Sequence, residues 1–94
     1  MFLTVLKSRK IVVSGKVQGV YYRASTREVA RQLGLTGWVK NMSNGDVEAI
    51  TCGESADLDA LQKWMQTGPD GASVTALQAS EVEMQAFSDF SIIR

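Results

Sequence analysis

Two glycines, several main-chain N–H groups and an arginine come together in the segment Gly15-Lys-Val-Gln-Gly-Val-Tyr-Tyr-Arg23. A glycine-containing loop that turns into a helix presents N–H groups with no partner inside that helix, and these bind phosphate and other anions. Arg23 falls in the first helical turn, facing the positive end of the helix dipole. Arg27 adds like-charge repulsion one turn later, and each effect costs about a few tenths of a kcal/mol. A bound anion would offset both, because a guanidinium grips two phosphate oxygens at once. The alternative is an Arg23 that points into solvent or pairs with a carboxylate. The segment lacks the Gly-Lys-Ser/Thr of a nucleotide P-loop and does not match Gly-x-Gly-x-x-Gly.

Asn41 is the second candidate. An amide donates and accepts hydrogen bonds but is a very poor base, so it suits the orientation of a water molecule; its other reading is a polar residue near a turn. The chain has no histidine, which removes Ser-His and Cys-His nucleophile pairs and imidazole as a general base. Cys52 is the only cysteine, so no intramolecular disulfide and no Cys-x-x-Cys site exists. It reads as a strand-packing thiol, and such cysteine usage favours an intracellular address. Trp38, Trp64 and Met65 read as core.

A chain of 94 residues, 45% hydrophobic and 21% charged, has the size and composition of one globular domain held by packing. Ten basic and ten acidic side chains cancel, without the basic excess expected of a nucleic-acid binder. The balance hides an asymmetry: residues 1–44 carry eight basic side chains and one acidic, and residues 45–94 carry two basic and nine acidic. A small anion belongs on the N-terminal half. The apolar start, Met1 to Leu6, is too short for a signal-peptide core and has no basic region before it, and no stretch approaches a membrane span.

These residues need elements to hold them. Lys10 to Ser14 read as a first strand buried on both faces or nearly so, closed by Gly15. Tyr22, Thr26, Val29 and Leu33 recur at helical spacing, with Gly34 as a stop. Residues 35–42 and 46–52 read as strands joined at Asn44-Gly45, a strong hairpin signal because both residues tolerate positive φ. Ser55 reads as the N-cap of a helix carrying Leu58, Leu61, Trp64 and Met65, stopped at Gly68-Pro69. Residues 73–83 read as a strand and Phe90 to Arg94 as a short edge strand. The order predicts an α+β, ferredoxin-like βαββαβ sandwich, an antiparallel sheet with two helices on one face. It forms one domain over residues 1–94, with a core from about residue 9 and an N-terminal extension over residues 1–8.

Val13-Ser-Gly-Lys-Val-Gln-Gly-Val-Tyr-Tyr-Arg23 and Gly37-Trp-Val-Lys-Asn-Met-Ser-Asn-Gly-Asp-Val47, followed by Gly53, together resemble the two signatures of the acylphosphatases. The likeness runs from Lys10 to Arg94. Two departures stand out: Tyr22, where the family usually has Phe or Met, and Met42, where some relatives carry Thr. The added hydroxyl of Tyr22 needs a partner or solvent.

The resemblance implies hydrolysis of a carboxyl-phosphate bond to a carboxylate and inorganic phosphate, with no metal or organic cofactor. It implies that Arg23 and the backbone N–H groups of Gln18, Gly19, Val20, Tyr21 and Tyr22 hold the phosphoryl group, and that Asn41 orients the attacking water. The chemistry tolerates so little machinery because the leaving carboxylate has a conjugate acid of pKa about 4 and departs without a general acid. Small-molecule acyl phosphates are then the expected substrates, with inorganic phosphate or sulfate as competing anions and neither nucleic acid nor membrane as partner. A cytoplasmic monomer is expected. The rival is a non-catalytic ferredoxin-like module that binds an anion or a protein.

Overall fold

A computed structural model describes residues 5–94 of the chain. The elements run β1 (Lys7–Lys16), α1 (Tyr22–Gln32), β2 (Thr36–Asn41), β3 (Val47–Gly53), α2 (Ser55–Met65), β4 (Ser73–Val82) and β5 (Phe90–Ile93). The strands form one sheet in the order β4-β1-β3-β2-β5. Neighbours are antiparallel except β5, which runs parallel to β2 with Val39 beside Ile92 and Lys40 beside Ile93. The sheet is therefore mixed. The ferredoxin-like α+β architecture stands, with β5 as the exception to antiparallel pairing.

Strand alternation sorts the side chains between two faces. Ile11 and Val13 of β1, Val39 of β2, Val47 and Ala49 of β3 and Phe90 of β5 are fully buried on the helix side. Against them pack Tyr22, Thr26 and Ala30 of α1 and Leu58, Leu61 and Met65 of α2. Helix α1 lies over β2 and β5, α2 over β1 and β3, and the helices touch each other. The opposite face carries Lys10, Val12, Trp38, Lys40, Glu48 and Ile50, where Glu48 bonds both Lys10 (3.2 Å) and Lys40 (3.6 Å). Trp38 is thus not core. Because Val39 takes the helix side, Trp38 faces the other way, half-buried, with the Lys40 ammonium 5.2 Å from its ring centre.

Other boundaries differ from the sequence reading for local reasons. Strand β1 begins at Lys7, inside the expected extension, and runs past Ser14 to Lys16 because β4 pairs it along that length. Its Val12 is only half-buried, so the strand has one buried face. A register shift at Ser14/Gly15 is absorbed by Gly15 at φ 119°, where a Cβ would overlap the Ser73 carbonyl. Only Gly45 has positive φ in the β2–β3 turn, whose Met42 N–H donates to Asp46 O (2.8 Å) while Asp46 N–H donates to Asn44 Oδ1 (3.0 Å). That is a three-residue hairpin loop with glycine in the left-handed position. Glu54, not Ser55, occupies the N-cap of α2, and no side chain caps it. Cys52 is a buried free thiol whose Sγ lies 3.5 Å from Met84 Sδ. The part of the expected extension at residues 1–4 lies outside the described residues.

Candidate active site

The link from β1 to α1 crosses the end of the sheet where β2 and β5 finish. Gly19 turns the chain at φ 76°, and Tyr21 follows at φ 62°, ψ 23°, the only non-glycine residue with positive φ among those described. Left-handed backbone costs an L-residue about 1–2 kcal/mol, and such outliers persist where surrounding structure holds them. Here the hold comes from Gln18, whose side-chain amide donates to Met42 O (2.8 Å) and Asp46 O (2.9 Å), tying the loop to the β2–β3 hairpin. Val20 packs on the core beside it.

The strained loop leaves donors open. Among the described residues, none of the N–H groups of Gln18 through Tyr22 has a protein acceptor. They lead straight into α1, which has no side-chain cap and no acidic residue in its first turn. The unsatisfied donors and the positive dipole end thus share one place.

An open cleft of about 490 Å³ lies in front of this loop. Gly19, Tyr21, Tyr22 and Arg23 line one side and Asn41 another, so the structure brings five of the seven expected site residues to one cavity. Gln18 and Val20 stand behind it, one clamping the hairpin and one filling the core. Asn41 reaches the cleft because alternation along β2 gives it the same face as Val39, beneath the start of α1. Its Oδ1 is buried and has no hydrogen-bond partner among the described residues. Buried acceptors without partners are rare enough that each asks for a reason.

The charges sort the same way. Lys7, Arg9, Lys10, Arg31 and Lys40 each pair with a carboxylate of the C-terminal half, at 2.8 to 3.6 Å. Lys16, Arg23 and Arg27 form no ion pair among the described residues; of the three, Arg23 lines the cleft, while Arg27 lies close enough to Asp89 to help hold its carboxyl down. Most of the N-terminal excess of positive charge is therefore matched away from the cleft, and Arg23 is left without an ion pair on it among the described residues.

Tyr22 shows what its extra hydroxyl does. The ring is buried against Trp64, with centroids 5.9 Å apart, and its hydroxyl donates to the Met65 carbonyl at 2.7 Å. That carbonyl belongs to the last turn of α2, where helical acceptors lack partners. Burial pushes the Tyr22 phenol well above its ordinary value. Substituting tyrosine here thus ties the start of α1 to the end of α2.

Sequence reasoning missed two contributions to the cleft. Ile92 and Arg94 form part of its wall, and the Gln18 side chain clamps the loop to the hairpin. Both depend on strand register and loop path between distant segments. The signal for the first was the spacing Phe90, Ile92, Arg94, which repeats every second residue.

Comparison with known proteins agrees across nearly the whole chain. The acylphosphatase family model matches residues 9–92. An acylphosphatase of Marinobacter nauticus is 53% identical over 81 residues, covering 85% of this chain and 88% of its own. The solved acylphosphatase of Coxiella burnetii superposes with a TM-score of 0.91 at 43% identity, over 94% of this chain and 93% of that one. The crystal structure of the Bacillus subtilis acylphosphatase gives 0.91 at 31% identity, over 96% of this chain and 100% of that one.

Proposed function

The chain belongs to the acylphosphatase family of enzymes, which hydrolyse acyl phosphates, and from that premise we propose how its own residues do the work. Arg23 and the N–H groups of Gln18, Gly19, Val20, Tyr21 and Tyr22 hold the phosphoryl oxygens, and Asn41 Oδ1 accepts a hydrogen bond from the attacking water. The observation that carries this reading is the partnerless, buried Asn41 Oδ1 on the same cleft as an unpaired Arg23.

Phosphoryl transfer calls for positioning and for stabilisation of charge on the equatorial oxygens, with little covalent chemistry from the protein. The bond from the water oxygen to phosphorus forms as the bond from phosphorus to the acyl oxygen breaks. The carboxylate leaves with that electron pair, and the water's proton passes to a phosphoryl oxygen. No side chain lining the cleft is a carboxylate or an imidazole, which supports the substrate as its own proton acceptor. Inorganic phosphate and sulfate, which share the phosphoryl geometry, compete for the cradle.

Hydrolysis of benzoyl phosphate in ¹⁸O-water tests the scheme. The label is expected in inorganic phosphate and not in benzoate, with simple phosphate esters untouched. Label in the benzoate would place the attack at carbon and remove Asn41 from the assigned role.

A further inference from the structure

The cleft is larger than a phosphoryl group, and its far wall has a chemistry of its own. Strand β5 runs parallel to β2, so Phe90 and Ile92 alternate onto the helix side, and just past the Lys40–Ile93 pair Arg94 and Asn41 both line the cleft. Phe90 is buried in the core, Ile92 is half-buried and Arg94 is exposed, and the last two line the cleft. Arg94 is the second guanidinium of a cavity whose lining has no carboxylate side chain. Its guanidinium takes part in no ion pair among the described residues.

Two unpaired cations on one cleft repel each other and favour a ligand that carries two negative centres. The N–H loop and Arg23 suit the phosphoryl end. Arg94, reaching the cavity from another strand with Ile92 beside it, suits a charged group joined to the phosphoryl carbonyl by a short apolar stem.

We propose that Arg94 is a specificity-determining residue, selecting acyl phosphates whose acyl half bears its own carboxylate. This rests on the phosphoryl cradle assigned above and adds the partner of the acyl half. A charge-assisted contact in a half-open cleft predicts about a tenfold preference in kcat/KM over a neutral substrate of the same shape.

The test compares 3- and 4-carboxybenzoyl phosphate with their carbamoyl analogues, which match them in shape without the charge. For wild type, one carboxylated substrate of the pair is expected to exceed its carbamoyl partner about tenfold. In Arg94→Ala that ratio collapses toward one, in Arg94→Lys part of it returns, and in Arg94→Glu it inverts. A merely structural Arg94 would lower both substrates together and leave the ratio alone. The same ratio in wild type and Arg94→Ala, or no preference in wild type, overturns the proposal while the acyl phosphate chemistry stands. Turnover of none of the substrates, nor of benzoyl phosphate, overturns the reading beneath it.

Discussion

The body of the molecule and its loop end treat like groups in opposite ways. In the body, Arg9 donates to Asp59 at 2.8 Å and to Gln62 at 3.0 Å, and Glu48 takes a lysine on each side. At the loop end, Arg23 has no such partner among the described residues, five N–H groups have no acceptor, and Tyr21 holds a left-handed backbone. Local rules are kept where the protein needs only to fold and broken where a ligand could complete them. Thr51 disciplines that lesson, since its buried Oγ1 on β3 also lacks a partner among the described residues. An orphan atom alone does not mark a site; its coincidence with a cleft, an unpaired cation and strained backbone does.

Replacement of the unpaired arginine should produce the largest effect. Arg23→Ala should lower kcat/KM for benzoyl phosphate on the order of 10³-fold and abolish inhibition by inorganic phosphate, with Arg23→Lys restoring little because an ammonium lacks the fork. Arg9→Ala, in the matched region, should instead cost about 1 kcal/mol or less in denaturant unfolding, its partner Asp59 being well exposed. Comparable kinetic losses in both variants would erase the distinction between the regions.

Asn41→Ala comes next. Turnover should fall on the order of 10²-fold while the inhibition constant for phosphate changes far less, the mark of a contact made to the water and not to the phosphoryl group. Since Asn41 Oδ1 leaves no partner behind, thermal unfolding should be nearly unchanged. Turnover equal to wild type would remove the residue from the chemistry.

Tyr22→Phe deletes the link to the Met65 carbonyl and should cost about 1 kcal/mol. Its pH dependence gives a second readout. The phenol's folded pKa lies above its unfolded value of about 10, so the stability it carries is whole below that pH and is lost as pH rises past it. Unfolding titrations between neutral and strongly alkaline pH should show this loss in wild type and not in Tyr22→Phe.

Thr51→Val sharpens the contrast between the two orphan oxygens. Removing a buried hydroxyl without a partner should leave benzoyl phosphate turnover as in wild type and raise stability by up to about 1 kcal/mol. A kinetic loss comparable to that of Asn41→Ala would mean the two orphans share a role. The smallest effect belongs to Asp89, whose carboxyl is held below its ordinary range by the Phe90 N–H and then by Arg31. Its contribution is present above about pH 4 and lost as pH falls through the depressed folded value, so Asp89→Asn should flatten the acid limb of the stability profile slightly.

What the sequence could tell follows from how local each feature is. Helix α1, the turn at Asn44-Gly45 and the span of β4 are written in neighbouring residues, through periodicity, turn chemistry and a glycine stop. The glycine-containing loop running into α1, to which the proposed function assigns the phosphoryl group, was legible for the same reason, as one continuous segment from Gly15 to Arg23. Trp38 was misplaced because its face depends on which neighbour the core takes, and Val39 is the better fit beneath the helices. The length of β1, the parallel course of β5 and the arrival of Arg94 at the cleft that Asn41 also lines are set by pairing between distant strands, which no local pattern encodes.

Phosphate titration of ¹⁵N-labelled protein, followed through its amide resonances, addresses the cradle most directly. The amides of Gln18 through Tyr22 should shift together and saturably, and the response should vanish in folded Arg23→Ala while surviving in Asn41→Ala. Shifts centred instead on the paired lysines of the open sheet face, or no saturable response in the loop, would contradict the assignment of these unsatisfied donors to the phosphoryl group.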